Sequence, residues 1–207
     1  MLYGAAASGS VAVEAALTLL NMPFDLVEGQ TWTSDAARER VAGHNALRQV
    51  PTLVLPGGEV LTETGAILLH LADAHPRARL SPAPGDAARG QFLRWMFFVS
   101  SAIYALHWIG PDVGRIGAPA GARDAVIDAV HKRIAFCWRT MDAQLNPRRF
   151  LLGDELTVLD LYVAVVSRFR PWRARFHAEA PRMTPAIRRV DEEPRLRALW
   201  ERRFPGG

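Results

Sequence analysis

The chain has 207 residues, of which 49% are hydrophobic and 22% are charged, so it can fill the core of one large domain or of two small ones. A single cysteine, Cys137, excludes an internal disulfide and fits a reducing compartment, which predicts a cytoplasmic protein. The apolar stretches end well before about 18 residues and the first residues carry no basic segment, so we expect neither a membrane span nor a signal peptide. The net charge of +4 comes from arginines that are mixed with acidic residues, and we expect no nucleic-acid partner.

The first part of the chain has the pattern of a strand, a helix and a second strand. Residues 2–4 form a short apolar segment, and residues 11–20 repeat apolar side chains at the helical period. The Asn and Pro of residues 21–23 end that helix, and residues 24–27 alternate as a strand does. A helix that connects two strands favours a right-handed parallel arrangement.

A further helix and a hairpin follow. Residues 34–42 predict a short helix, and a Pro-Gly-Gly turn joins two strands at residues 52–55 and 60–61. A helix over residues 63–74 comes next. The order βαβαββα predicts an α/β domain with a mixed sheet over residues 1–77.

The composition changes after a Pro/Gly-rich segment at residues 81–86. Beyond it, apolar residues recur at the helical period, and the sequence suggests no further strand. We therefore predict a linker at residues 78–86 and an all-helical bundle over residues 87–207. The helical stretches are residues 89–108, 122–145, 158–169 and 194–203.

Val50-Pro51 stands at the start of the third predicted strand. A proline there is either trans at a sheet edge or cis in a turn. A cis bond would point the backbone N–H and C=O of Val50 outward, where a peptide ligand can pair with them as an added antiparallel strand.

Glu63-Thr64 stands at the start of the helix that follows the hairpin. The free N–H groups of such a helix end bind a carboxylate, and Glu63 suits an ammonium group beside it. Together the two residues suit the α-amino-acid end of a ligand. The alternative is an ordinary helix cap with an acid in the first turn.

Three segments of the chain resemble the cytosolic glutathione S-transferase family. Two of them, residues 45–53 and 61–67, contain the motifs just described, and residues 150–161 resemble the capping box of the family's helical half, with Thr157 and Asp160 as its partners. The resemblance covers nearly the whole chain. It implies a thioredoxin-like N-terminal domain, a C-terminal helical bundle, glutathione as cosubstrate, a small hydrophobic electrophile as second substrate, and a homodimer.

The same resemblance implies a role for each binding residue. Val50, before a cis Pro51, pairs its backbone with the cysteinyl part of glutathione. Glu63 and Thr64 hold the γ-glutamyl amino and carboxylate groups, and Gln49 lies towards the glycyl end.

Activation of the thiol needs a donor near the start of the first helix. A thiol with a pKa near 8.5 is mostly protonated at neutral pH, and a hydroxyl donor together with a helix N-terminus lowers that pKa. The serine of several classes in the family falls near Ala7, and the cysteine of a bacterial class falls near Gly9. The remaining hydroxyls, in order of preference, are Ser8, Ser10 and Tyr3. Their alternative roles are helix capping for the serines and strand packing for Tyr3.

The second substrate is expected against an apolar wall between the two halves. Phe98, Tyr104 and Trp108 are the candidates for that wall, and Tyr104 can also assist a developing negative charge. His107 more often has a structural role than a catalytic one, and Cys137 is expected to be inert core.

Conjugation of glutathione to small apolar electrophiles is therefore the leading hypothesis for the function. The alternatives are another glutathione-dependent reaction (isomerisation, ether cleavage, dehalogenation or peroxide reduction) and a non-catalytic binding or scaffold protein. A loop without cysteine argues against thiol transfer through a mixed disulfide. No metal is expected.

Overall fold

The computed structural model describes residues 1–205, so residues 206–207, the last two of the predicted helical domain, lie outside the described residues. The four strands are β1 (Leu2–Gly4), β2 (Leu26–Glu28), β3 (Thr52–Val54) and β4 (Val60–Thr62). They form one mixed sheet in the order β2-β1-β3-β4, in which β1 pairs parallel to β2 and antiparallel to β3, and β3 pairs antiparallel to β4.

The second strand begins two residues later than the alternation of residues 24–27 predicts. Its position follows from its backbone partners on β1, because the N–H of Leu2 donates to the carbonyl of Asp25 (2.7 Å) and the N–H of Gly29 donates to the carbonyl of Gly4 (2.8 Å). The parallel ladder between these two bonds pairs Leu2 with Leu26. Alternation alone does not reveal this register.

Three helices belong to the same half: α1 (Ser10–Leu19), α2 (Asp35–Ala42) and α3 (Thr64–Ala74). Nine of the ten residues of α1 are buried, because the helix lies between β1 and α3 on one side and the helical half on the other. Its small alanines permit this close packing. The element order and the mixed sheet confirm the predicted thioredoxin-like half.

The helical half contains α4 (Arg89–Phe98), α5 (Arg123–Gln144), α6 (Val158–Val166), α7 (Trp172–Glu179), α8 (Thr184–Asp191) and α9 (Arg197–Arg203). Within residues 1–205, no helix is both long and apolar enough to cross a bilayer. The sequence analysis predicts no helix between residues 169 and 194, so it misses α7 and α8; α7 is rich in arginine and buries only Phe176. The helical half is confirmed, while the boundaries at residues 77 and 87 stay predictions.

The centre of the helical half is α6, all nine residues of which are buried. The predicted capping box at its start is confirmed, because the carboxylate of Asp160 accepts hydrogen bonds from the N–H (2.9 Å) and the hydroxyl (2.7 Å) of Thr157. The same carboxylate accepts from the N–H of Leu151 (2.8 Å), which fixes the preceding turn.

The predicted helix over residues 89–108 is helical throughout but changes its geometry. After α4 ends, the backbone makes a π-helical turn at Val99–Ile103 and a 3₁₀ turn at Tyr104–Trp108. A π turn contains about one extra residue, which rotates everything after it by about 100° relative to a continuous α-helix. The residues after the turn therefore face a different direction from the one that the helical period predicts.

Candidate functional site

A cavity of about 430 Å³ lies between the two halves. It is lined by the loop before α1, the segment before β3, the start of α3 and the turns after α4. Its volume is in the range of small-molecule sites. Most of the predicted site residues line it: Ser8, Gln49, Val50, Pro51, Glu63, Thr64, Tyr104 and Trp108.

The Val50–Pro51 peptide bond is cis, as the resemblance implies. The segment that carries it is held by Asn45, whose side-chain NH₂ donates to the carbonyl of Gln49 (3.1 Å) and to the hydroxyl of Thr52 (3.2 Å). The side-chain oxygen of Asn45, Oδ1, accepts from the N–H of Leu47 (2.9 Å). Asn45 was not among the predicted site residues, although an Asn that can bond to the backbone two residues later is a turn signal in the sequence.

The start of α3 presents two unusual features to the cavity. Glu63 has φ 65° and ψ 112°, a conformation that costs a residue with a side chain about 1–3 kcal/mol and persists only where the surroundings impose it. Thr64 is only 2% exposed, and its hydroxyl oxygen is buried without a hydrogen-bond partner among the described residues. Such a group is a candidate to bind a ligand.

The two predicted serines differ in their access to the cavity. The Ser8 hydroxyl donates to the carbonyl of Ala5 (2.8 Å) and lies 2.8 Å from the Ser10 hydroxyl, and Ser8 is among the residues that line the cavity. Ser10 is fully buried, accepts from the N–H of Ala5 (2.9 Å) and does not line the cavity. Both hydroxyls therefore stabilise the loop before α1.

Tyr3 and Phe98 also lie outside the cavity lining. Tyr3 is 7% exposed and packs against the ring of His44, with 5.1 Å between the ring centroids. Phe98 packs edge-on against Trp95 at 5.3 Å. The structure thus places both aromatic side chains in packing positions.

The hydroxyl of Tyr104, a residue of the 3₁₀ turn after α4, lies at the N-terminus of α1. The backbone N–H of Gly9, the residue that precedes α1, donates to the Tyr104 hydroxyl oxygen (3.1 Å). Burial of the side chain raises the pKa of this phenol, which the bond from Gly9 partly offsets. Tyr104 was predicted as part of the apolar wall, and the contact of its hydroxyl with α1 was not predicted.

His107 and Trp108 form the outer wall. His107 packs against the ring of Phe169 at 5.4 Å, and burial, followed by the nearby charge of His131, lowers its pKa to about 4. Trp108 is 46% exposed, with the guanidinium of Arg115 5.2 Å from the ring centroid. Among residues 1–205, no group of three His, Cys, Asp or Glu side chains could hold a metal ion.

Basic and aromatic side chains outside the predicted set form the rim of the cavity. Arg38 pairs with Asp35 at 2.7 Å, and Trp32, 50% exposed, lies beside it on the rim. Nothing in the sequence around Arg38 or Trp32 distinguishes these two residues from other surface residues. Arg38 therefore brings a guanidinium group, paired with Asp35, to the cavity lining.

Comparison with known proteins agrees with this architecture. A family profile described as "Glutathione S-transferase, N-terminal domain" matches residues 10–74. The glutathione S-transferase GST-4.5 of Xanthomonas campestris is 30% identical over 175 residues, covering 81% of each chain. The uncharacterized GST-like protein YncG of Escherichia coli is 29% identical over 203 residues, covering 97% of this chain and 96% of the relative.

A solved sphingomonad glutathione S-transferase, complexed with glutathione, has a TM-score of 0.79 and 25% identity, with 99% of each chain covered. The mixed sheet and the helical half are those of the glutathione-transferase fold. The chain belongs to the glutathione S-transferase family.

Proposed function

We propose that this protein binds glutathione in the cavity between its two halves and transfers it to small apolar electrophiles. The observation that carries the proposal is that the cis Val50–Pro51 peptide and the start of α3 open onto one cavity. The first can pair with the backbone of a peptide, and the second suits an α-amino-acid end. Glutathione combines both features in one small ligand.

In this proposal the tripeptide lies along the wall that the sheet half provides. The backbone of Val50 pairs with the cysteinyl residue, and the start of α3 binds the γ-glutamyl end through Glu63 and the N–H and hydroxyl of Thr64. Gln49 lies towards the glycyl end, where Arg38 on the rim complements the terminal carboxylate. Tyr104 and Trp108 are aromatic residues of the cavity wall, and they contact the second substrate.

The reaction begins when the bound thiol loses its proton to solvent. The thiolate sulfur then attacks an electrophilic carbon of the second substrate, a carbon–sulfur bond forms, and a leaving group such as a halide departs with the bonding electron pair. The protein contributes by orienting the thiolate and by stabilising its charge at the N-terminus of α1. Of the three predicted hydroxyl donors, Ser8 is the one that is among the residues lining the cavity.

Titration calorimetry with glutathione, followed by a conjugation assay with an activated aryl halide, tests the proposal. We expect saturable binding and turnover, and Glu63→Gln should weaken binding of glutathione about tenfold because it removes the partner of the ammonium group. Glu59→Gln, an exposed acid in the turn between β3 and β4, is the matched control and should bind normally. A wild-type protein that does not bind glutathione would contradict the proposal.

A non-catalytic binding protein is the second candidate, because both serine hydroxyls of the first loop are already bonded within that loop. The two functions share the binding step and differ in turnover. Saturable glutathione binding without conjugation of the aryl halide, across a panel of electrophiles, would favour the binding protein.

We also propose a homodimer, which the resemblance implies. Large aromatic side chains are exposed on two helices of the helical half, with Phe97 on α4 66% exposed and Phe136 on α5 49% exposed. Exposed apolar side chains of this size are typical of interfaces. Light scattering coupled to gel filtration should give the mass of two chains, and a single-chain mass would refute the dimer. A cytoplasmic location stays a prediction.

A further inference from the structure

A side chain from the helical half, that of Tyr104, lies at the N-terminus of α1. A Cβ atom built on Gly9 would lie 2.2 Å from the Tyr104 hydroxyl oxygen and 2.7 Å from the Thr64 hydroxyl oxygen. The space beside Gly9, which a side chain of the first loop would otherwise fill, therefore contains the phenol of Tyr104. Because the phenol lies so close to the Gly9 backbone, this position requires a glycine.

The backbone geometry after α4 positions the Tyr104 phenol beside Gly9. The π-helical turn at Val99–Ile103 changes the direction of all the residues that follow, and Tyr104 is the first residue of the 3₁₀ turn. Its ring is then held by an edge-on contact with Tyr162 on α6 (5.9 Å) and by Phe169 (5.9 Å). π turns of this kind are frequent at functional sites.

The hydrogen bonds of the phenol leave its proton available. Its oxygen accepts from the N–H of Gly9, so the O–H can donate to a further group. A hydroxyl that accepts a bond from a helix N-terminus becomes a better donor, because the two bonds polarise each other. Beside it, the buried hydroxyl of Thr64 has no hydrogen-bond partner among the described residues and faces the same space.

The surrounding groups favour a protonated phenol. Burial raises the pKa of Tyr104 by more than the Gly9 N–H and the nearby Thr64 hydroxyl lower it, and the negative charge of Glu63 adds to the rise. His107, the histidine ring beside it at 6.3 Å, has a pKa lowered to about 4 and is neutral near pH 7. The phenol therefore keeps its proton at neutral pH and can act as a hydrogen-bond donor.

We propose that Tyr104 is the catalytic hydroxyl of this protein, donating a hydrogen bond to the sulfur of bound glutathione in the place of a first-loop serine, tyrosine or cysteine. The thiol proton leaves to solvent, Tyr104 stays protonated, and the thiolate accepts its hydrogen bond. This inference rests on the proposed function, since it assumes glutathione in the cavity. It moves thiol activation from the sheet half to the helical half.

The test compares three variants of the full chain by the pH titration of the bound thiol, followed through the ultraviolet absorbance of the thiolate. Tyr104→Phe removes only the hydroxyl, and Ser8→Ala removes the competing donor. Tyr162→Phe is the matched control, because it removes the hydroxyl of the buried tyrosine that packs against Tyr104. Calorimetry on each variant measures glutathione affinity separately.

We expect Tyr104→Phe to raise the thiol pKa by about one to two units, which corresponds to the loss of one hydrogen bond to a charged group. Conjugation near neutral pH should fall by up to about tenfold for each unit of that rise, while glutathione affinity and the behaviour of Tyr162→Phe stay close to wild type. An unchanged thiol pKa in Tyr104→Phe would overturn the inference, and so would an equal or larger rise in Ser8→Ala. A wild type that binds glutathione with an unshifted thiol pKa overturns this inference alone, whereas no binding at all overturns the proposed function as well.

Discussion

Gly9 has an ordinary helical backbone (φ −61°), so its requirement for glycine comes from space and not from conformation. Gly9→Ala would bring a methyl group to 2.2 Å from the Tyr104 oxygen, far inside normal contact distance. We expect this substitution to reduce the free energy of unfolding by about 1–3 kcal/mol. Urea unfolding measures the effect. Gly43→Ala, also at a helix end (φ −65°) but with nothing within 4 Å of the added atom, should be close to neutral.

A double variant tests the cause of that loss. In a Tyr104→Leu background the phenol is absent, so Gly9→Ala should cost clearly less than it does in the wild type, the remainder being the contact with Thr64. Equal costs in the two backgrounds would show that Tyr104 does not occupy the space beside Gly9.

The two kinds of site residue differ in how far the sequence could predict them. Val50-Pro51 and Glu63-Thr64 are visible because each lies in a local motif, a proline before a strand and a cap before a helix. The Tyr104 hydroxyl accepts a hydrogen bond from Gly9, which lies 95 positions earlier in the chain, and a local sequence pattern cannot predict such a contact. Ser10 has the residue type of a donor, and only its burial shows that it does not line the cavity.

Among the elements, the region after α4 departs most from the sequence pattern. Apolar residues recur at the helical period up to Trp108, so a continuous helix was the natural prediction. The π turn at Val99–Ile103 has no signature of its own, since it contains neither Pro nor Gly. The strands and helices of the sheet half were predicted to within about two residues, because each is bounded by Pro, Gly or a capping side chain.

The 3₁₀ turn at Tyr104–Trp108 should make stability depend on pH through His107. The pKa of this ring falls from 6.5 to about 4 on folding, so the unfolded chain binds more protons in this range. The contribution of His107 to folding stability is therefore fully present above pH 6.5. It is lost as the pH falls towards 4, which lowers the free energy of unfolding by at most about 3 kcal/mol.

His107→Leu should remove that loss, and urea unfolding at several pH values measures it as the difference between variant and wild type. The difference is needed because Asp160, whose pKa burial raises to about 6, has the opposite dependence. His70→Gln, on the exposed side of α3, should follow the wild type. Parallel pH profiles for wild type and His107→Leu would contradict the assignment.

At the scale of the whole molecule, the sequence predicted two halves but not how they are joined. The last helix returns to the sheet half, where Arg203 donates to the carboxylate of Glu14 (2.8 Å) and to that of Glu28. Its carbonyl oxygen accepts from the N–H of Ala7 (3.1 Å), in the loop before α1. Glu14 lies 189 positions away from Arg203 along the chain, and charge patterning in the sequence cannot identify such a pair.

Arg203→Met should be among the most destabilising single substitutions in the chain. Glu14 is fully buried, and loss of its partner leaves an unpaired charge inside the protein, which costs about 3–5 kcal/mol. Arg202→Met is the matched control, because that side chain is 60% exposed and makes a longer contact, 4.0 Å, with the same carboxylate. We expect it to change the free energy of unfolding by less than about 1 kcal/mol. Urea unfolding of both variants near neutral pH gives the comparison.

The pH dependence of Arg203→Met separates the buried charge from lost packing. Burial raises the pKa of Glu14 even beside Arg203, and the substitution removes the larger of the two arginine groups that oppose this rise, leaving Arg202. As the pH falls through the folded pKa, Glu14 takes up a proton and the charge disappears, so the deficit of Arg203→Met relative to wild type should shrink in acid. The double variant Glu14→Leu/Arg203→Met, which buries no charge, should recover most of the stability near neutral pH. A deficit that is independent of pH and persists in the double variant would assign the role of Arg203 to packing between α9 and α1.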